Sequence, residues 1–221
     1  NFYTSYATER GKISVTAADW TLPEQPANTY GDQLIQDAKD FSNTAIVVIG
    51  RVGGEGLDLP TDMGAEGLTY NNNSSEYADF ETGQHYLELD RTERDMLDLV
   101  CANFDNVVVV YNGANAFEMG FVNDYPQIKG VLWAPHPGQA GFESLGSVLS
   151  GAVNPSGKTS DTFLYDLTAS PSWNNFGDFP YDNVEEFQIE SARGTRSPRF
   201  VNYVEGIYVG YRYWETAADE G

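Results

Sequence analysis

Basic side chains are scarce in this chain of 221 residues, where 12 lysines and arginines stand against 33 aspartates and glutamates. The formal net charge of −21 repels phosphate backbones and anionic lipids, so we expect neither nucleic acid nor a membrane surface as a partner. This charge neither attracts nor repels a neutral substrate. Hydrophobic residues make up 41% of the chain and charged residues 20%, which is typical of a globular protein with one sizeable domain or two small ones.

Cysteine and histidine are nearly absent as well. Cys101 is the only cysteine, so no internal disulfide can form, and the cysteine content indicates neither an oxidising nor a reducing compartment. It falls on the apolar face of a predicted helix, which indicates a buried core thiol. His85 and His136 lie far apart with no ligand-like spacing, so we predict two surface or mouth-loop histidines, no metal site and no cofactor. No apolar run reaches the length that spans a membrane.

Hydrophobic periodicity predicts an alternating order of helices and strands. Solid Val and Ile runs are typical of parallel strands covered on both faces, so the predicted fold class is α/β, a three-layer α/β/α sandwich with a mostly parallel, flavodoxin-like sheet. Residues 1–30 are predicted to be an arm or linker, and residues 31–221 the sandwich domain. The predicted helices lie near 34–41, from Thr92 as N-cap, 117–122 and 142–149, and the predicted strands at 44–50, 107–110, 130–133 and 159–165.

The most informative segment is Ile46 to Asp58, where a buried strand runs into a glycine-rich loop that carries Glu55. Glycines on both sides of Glu55 leave no side chains to shield it and let the backbone turn sharply. Open α/β folds place their chemistry on the loops at the carboxyl ends of parallel strands. From these residues alone, Glu55 is either a catalytic acid or an ordinary loop glutamate.

Several other motifs resemble known binding or catalytic sites but lack the flanking secondary structure or the residue spacing that those sites require. The segment 152–159 resembles a phosphate-binding loop, but a helix is predicted before it and a strand after it, the reverse of the required order. The glycines of 50–56 have the wrong intervals for a dinucleotide fingerprint, and Ser144 lacks the flanks of a nucleophile elbow. Aromatic residues in the polar 68–86 loop could stack on sugar rings or pack the loop onto the domain: Tyr70, Tyr77, Phe80 and Tyr86.

Three blocks of sequence, taken in order, resemble the α/β/α sandwich domain of glycoside hydrolase family 3, the β-glucosidase and β-xylosidase family. They are residues 51–58, residues 130–139 leading into 148–158, and residues 205–213. The resemblance covers the chain from about Ala45 to Thr216 and implies a retaining double displacement across two domains. It implies an aspartate nucleophile on a separate (β/α)8 barrel and a general acid/base on the sandwich, a role that the loop match gives to Glu55.

The same resemblance makes Arg51, Asp58, His136 and the 68–86 loop candidates for shaping the leaving-group side of a carbohydrate substrate. A retaining enzyme needs two carboxyl groups about 5 Å apart, one of them protonated near neutral pH. Loop closure over a barrel can desolvate the glutamate and raise its pKa.

The chain also departs from the family pattern. Asp58 is followed by Leu59-Pro60 where family members often carry arginine, which puts in doubt a salt bridge fixing the loop. No barrel pattern is present, so we expect one domain of a larger enzyme, in the first place a β-glucosidase. The alternatives are a non-catalytic carbohydrate-binding or scaffolding sandwich in which Glu55 is incidental, and a nucleotide-binding flavodoxin-like domain, which the context of 152–159 and the charge disfavour.

Overall fold

The computed structural model describes residues 20–22, 24–53, 58–138, 140–177 and 179–220. The contacts within the chain divide it into two compact units, one ending at Tyr165 and the other beginning at Asp166. Residues 1–19 of the predicted arm lie outside the described residues, whereas Leu22 is buried in a small core with Met63, Phe80 and Tyr86. The predicted domain boundary at residue 30 stays a prediction.

The first unit alternates helices and strands. Its elements are α1 (Asp32–Phe41), β1 (Thr44–Gly50), α2 (Arg91–Asn103), β2 (Asn106–Asn112), β3 (Ile128–Trp133) and α3 (Leu145–Leu149), with 3-10 turns at Ala27–Thr29, Gly120–Asn123 and Gly141–Ser144. Each of the three strands was predicted within two residues of its observed ends. The strand predicted at 159–165 is wrong: this segment is a loop, in which the Leu164 carbonyl accepts a hydrogen bond from the Met119 amide, at 2.7 Å, and no ladder forms.

The sheet of the first unit has the strand order β1-β2-β3, and both pairs are parallel. Alternate residues of the strands point to one side, where Val47, Val109 and Tyr111 form the main core with α2. Cys101 lies in this core, which confirms the predicted buried thiol, and burial raises the pKa of that thiol. The opposite side of β1 is open, with Ile46 52% and Val48 56% exposed. Within the described residues, β1 is therefore covered on one face only, whereas the sequence predicted cover on both.

Helix α2 begins two residues earlier than its sequence suggests. The N-cap is Asp90 and not Thr92, because the Asp90 carboxylate accepts from the Glu93 amide at 2.6 Å while the Glu93 carboxylate accepts from the Asp90 amide at 3.1 Å. This reciprocal pair is a capping box. The Thr92 hydroxyl is buried and donates to Asp79 at 3.1 Å, so it is not available as a cap.

The second unit contains short elements only, apart from its last helix. Two antiparallel pairs join β4 (Phe179–Pro180) to β7 (Arg199–Phe200) and β5 (Ile189–Ser191) to β6 (Gly194–Arg196). The 3-10 turns are Leu167–Ala169, Trp173–Asn175 and Val184–Phe187, and α4 spans Tyr211–Glu220. Across the described ranges, none of the helices is long and apolar enough to span a membrane.

Candidate active site

The loops that follow the three parallel strands meet at one edge of the sheet, since parallel strands end on the same side. Hydrogen bonds connect these strand ends directly. The Arg51 amide donates to the Asn112 carbonyl at 3.0 Å, and the Asn112 side chain donates to the Ala134 carbonyl at 2.7 Å. Residues at the ends of β1, β2 and β3 are thus held in a fixed relation to one another.

Arg51 is the first residue after β1, and all five N–H groups of its guanidinium are used. Two of them form a bidentate pair with the Glu93 carboxylate, with both N–O distances 2.6 Å. The others donate to the main-chain carbonyls of Gly50 at 2.8 Å, Tyr86 at 2.7 Å and Glu88 at 2.6 Å. A guanidinium has five N–H donors, so this group has no hydrogen-bonding capacity left.

The electrostatics of this cluster are those of a buried ion pair with an additional carboxyl group. Burial opposes the charge of Arg51, but the Glu93 carboxylate outweighs it and raises the pKa of the arginine. Burial, followed by the charge of Glu93, raises the pKa of Asp90 well above its ordinary value, although Arg51 opposes this shift. The guanidinium carbon also lies 4.8 Å from the centre of the Phe117 ring, within the range of a cation–π contact.

The structure places the predicted site residues as follows. Glu55 lies in the segment 54–57, which is outside the described residues. The residues that flank this segment, Gly53 and Asp58, are described. Asp58 is exposed in the loop after β1, and His136 is exposed in the loop after β3. Arg51 is 3% exposed, with its guanidinium turned to Glu93. Contact of Arg51, Asp58 or His136 with a substrate stays a prediction.

His85 lies in the loop between β1 and α2 and is buried, 3% exposed, so of the two predicted positions, surface or mouth loop, the surface position is wrong. Its Nδ1 accepts from the Leu87 amide at 3.1 Å, and its Nε2 lies 3.1 Å from a Glu118 carboxylate oxygen. Because an amide occupies Nδ1, the neutral ring carries its proton on Nε2, directed at Glu118. The Glu118 amide donates in turn to the Leu87 carbonyl at 2.8 Å. These bonds join the loop before α2 to the loop after β2.

His85, Glu88 and Glu118 bring ligand atoms within 4.8 Å of one another, a spacing that could hold a metal ion. A metal ligated at Nε2 would require the ring proton to move to Nδ1. There it would face the Leu87 N–H, which needs an acceptor at that position. The donor set therefore fits a hydrogen-bonded link between two loops better than it fits a metal ion.

The aromatic residues of the 68–86 loop pack inside the first unit. Phe80 and Tyr86 are buried, and Tyr70 packs edge-on against Phe80 with ring centres 5.4 Å apart. The Arg91 guanidinium lies over the Tyr77 ring at 4.2 Å. Phe80 and Tyr86 therefore have no exposed ring face on which a sugar could stack.

Sequence reasoning missed Glu93, the charged partner of Arg51. The two residues are 42 positions apart, and no local pattern connects them. The one available signal was Asp90 followed three residues later by Glu93 at the start of an apolar helix, which is the pattern of a capping box.

The model of the glycosyl hydrolase family 3 C-terminal domain matches residues 28–211, most of the chain. The chain belongs to this family. Among relatives of this family 3 domain, β-glucosidase A of Butyrivibrio fibrisolvens is 30% identical over 222 residues, which cover 97% of this chain and 23% of the relative. The β-glucosidase of Ruminococcus albus is 30% identical over 201 residues, which cover 91% of this chain and 17% of the relative.

A solved structure of a β-glucosidase from Paenibacillus barengoltzii is similar in fold and sequence. It is 31% identical with a TM-score of 0.64, and the match covers 96% of this chain and 19% of that one. The predicted family and the predicted α/β sandwich class are thereby confirmed. The family 3 domain spans less than a quarter of the length of these relatives.

Proposed function

We propose that this family 3 domain supplies the general acid/base to a retaining β-glycosidase, in the first place a β-glucosidase that hydrolyses O-glycosyl bonds. Glu55 holds the proton, and the active site is shared with a (β/α)8 barrel that carries the nucleophile. The main support is the position of Glu55, in the segment that leaves β1 at the carboxyl edge of a parallel sheet. The relatives named above are β-glucosidases, which supports the same reaction and substrate class.

The proposed roles follow from the chemistry of retaining hydrolysis. Protonated Glu55 gives its proton to the glycosidic oxygen while the nucleophile attacks the sugar, and its carboxylate then removes a proton from the incoming water. Asp58 and His136 are exposed on loops of the same sheet edge, so they remain candidates for contacts on the leaving-group side. Arg51 is buried and fully hydrogen-bonded, which supports a role in holding the loop rather than touching the sugar.

Leaving-group dependence tests this proposal in a full-length protein that contains the chain. We expect Glu55→Gly to slow glucosides with poor leaving groups by a factor of about 10² or more, because these need the proton, and to affect activated aryl glucosides much less. Azide should restore the rate on activated substrates by attacking the glycosyl-enzyme. Glu66→Gly, at an exposed glutamate further along the same loop, is the matched control. An equal, small loss on every substrate would instead favour the scaffolding alternative.

The two-domain part of the proposal has a separate test. We expect the isolated 221-residue chain to leave aryl β-glucosides intact, because half of the carboxylate pair is missing from it. Measurable turnover by the purified chain, lost on Glu55→Gly, would show that no barrel is needed and would contradict this part.

A further inference from the structure

We propose that Arg51 and Glu93 form a positioning pair for the general acid/base, fixing the backbone from which the Glu55 segment departs. This inference rests on the proposed function and adds to it a residue on α2 that the family match does not assign. The pair is nearly inaccessible to solvent, with side-chain exposures of 1% for Arg51 and 5% for Glu93. Its role is mechanical, since neither group is placed to touch a substrate.

The Arg51 guanidinium joins the end of β1 to the loop and helix that follow it. On one side it is attached to the residue that leaves β1, four positions before Glu55. On the other it binds the carbonyls of Tyr86 and Glu88, in the loop that leads into α2, and the carboxylate in the first turn of that helix. Helix α2 is fixed in turn by several side chains in the main core, of which Leu97 and Cys101 are buried. A continuous set of contacts therefore connects the core to the start of the Glu55 segment.

The next two residues, Val52 and Gly53, are held by neighbouring loops as well. The Val52 amide donates to the Tyr86 hydroxyl at 3.3 Å. A Cβ added to Gly53 would come within 2.8 Å of the Asn115 side-chain oxygen, so the loop after β2 approaches this glycine closely. Residues 51–53 thus lie between the loop before α2 and the loop after β2.

Arginine and glutamate are both needed for this contact. Lysine would keep the charge of Arg51, but it has three donors and cannot form the planar bidentate pair or reach five acceptors at once. Glu93→Gln keeps the capping box, in which glutamine also serves, yet removes the charge that binds the guanidinium. Both variants loosen the same contact from opposite ends.

The test compares Arg51→Lys and Glu93→Gln with Leu97→Ala in the full-length protein, at a temperature where every variant is folded. Leu97→Ala destabilises the same helix but removes none of the hydrogen bonds of the pair and leaves Cys101 of α2 in the core, so it is the matched control. A displacement of about 1 Å at a reacting group can cost about 10²-fold. We therefore expect both pair variants to lower kcat/KM on methyl β-glucoside by about 10- to 100-fold. On 2,4-dinitrophenyl β-glucoside, which needs no proton, the loss should stay below about threefold.

The outcomes separate this inference from the proposed function. If Glu55→Gly shows the leaving-group dependence but the pair variants slow both substrates equally, as Leu97→Ala does, the positioning role is overturned and the function stands. If Glu55→Gly lacks that dependence, both are overturned. If Arg51→Lys does not fold, Glu93→Gln alone decides, because it preserves the helix cap.

Discussion

Replacing Arg51 by methionine should remove a large part of the stability of the first unit. The methionine side chain fills a similar volume but carries no charge and no donor. It leaves Glu93 without its counter-charge in a buried site, and the carbonyls of Gly50, Tyr86 and Glu88 lose their partners. Removing one member of a buried ion pair costs about 3–5 kcal/mol, against about 5–15 kcal/mol for the total stability of a domain.

A double-mutant cycle resolves how much of this loss belongs to the pair. Arg51→Met and Glu93→Gln each leave one buried charge uncompensated, whereas the double variant leaves neither. We expect the double variant to be more stable than the sum of the single losses predicts, by an interaction energy of about 0.5–3 kcal/mol, the usual range for residues in contact.

Urea unfolding followed by tryptophan fluorescence measures these differences, since Trp20 packs on Tyr86 with ring centres 5.0 Å apart and reports on the site. Arg94→Met, at an exposed arginine of α2, is the matched control and should change the free energy of unfolding by no more than about 0.5 kcal/mol. The reasoning would be refuted if Arg51→Met were no more destabilising than this control, or if the two single effects simply added.

Two further predictions concern the same sheet edge. The pKa of Asp90 is raised above 3.8, so its contribution to stability is complete below about pH 3.8 and is lost as the pH rises through the raised value. Asp90→Asn keeps an N-cap and cannot ionise, so the urea midpoint of the variant should rise relative to that of the unchanged protein as the pH increases. A difference in midpoint that does not depend on pH would contradict this prediction. A methyl group at Gly113 would collide with the Tyr111 hydroxyl, so thermal unfolding should show Gly113→Ala less stable by about 1–3 kcal/mol, whereas Gly130→Ala meets open space and should be close to neutral.

Much of the fold could be predicted because the first unit follows its local patterns. The runs Ile46–Ile49 and Val107–Val110 are strands in the structure, since β-branched residues favour the extended backbone and the two runs pair in parallel. The segment 159–165 was misassigned for the converse reason. Its residues suit a strand, but a strand also needs a paired neighbour, and sequence alone does not show that none is present.

The candidate site was predictable only where it is contiguous in sequence. Glycines around Glu55 and the family resemblance indicate the loop, whereas the pairing of Arg51 with Glu93 depends on how α2 lies against β1. His85 illustrates the same limit. No sequence spacing connects His85 to a partner, but in the fold Glu118, 33 positions later in the loop after β2, has a carboxylate oxygen 3.1 Å from its Nε2.

The open side of β1 has a consequence for handling the isolated chain. Among the described residues β1 is an edge strand with Ile46 and Val48 exposed on one face, and the unpaired backbone of an apolar edge strand is a template for intermolecular pairing. At neutral pH the formal charge of −21 keeps chains apart. Near the isoelectric point that the composition gives, about 4.1, that repulsion vanishes while the exposed side chains remain, so the acidity of this domain protects it from aggregation at neutral pH.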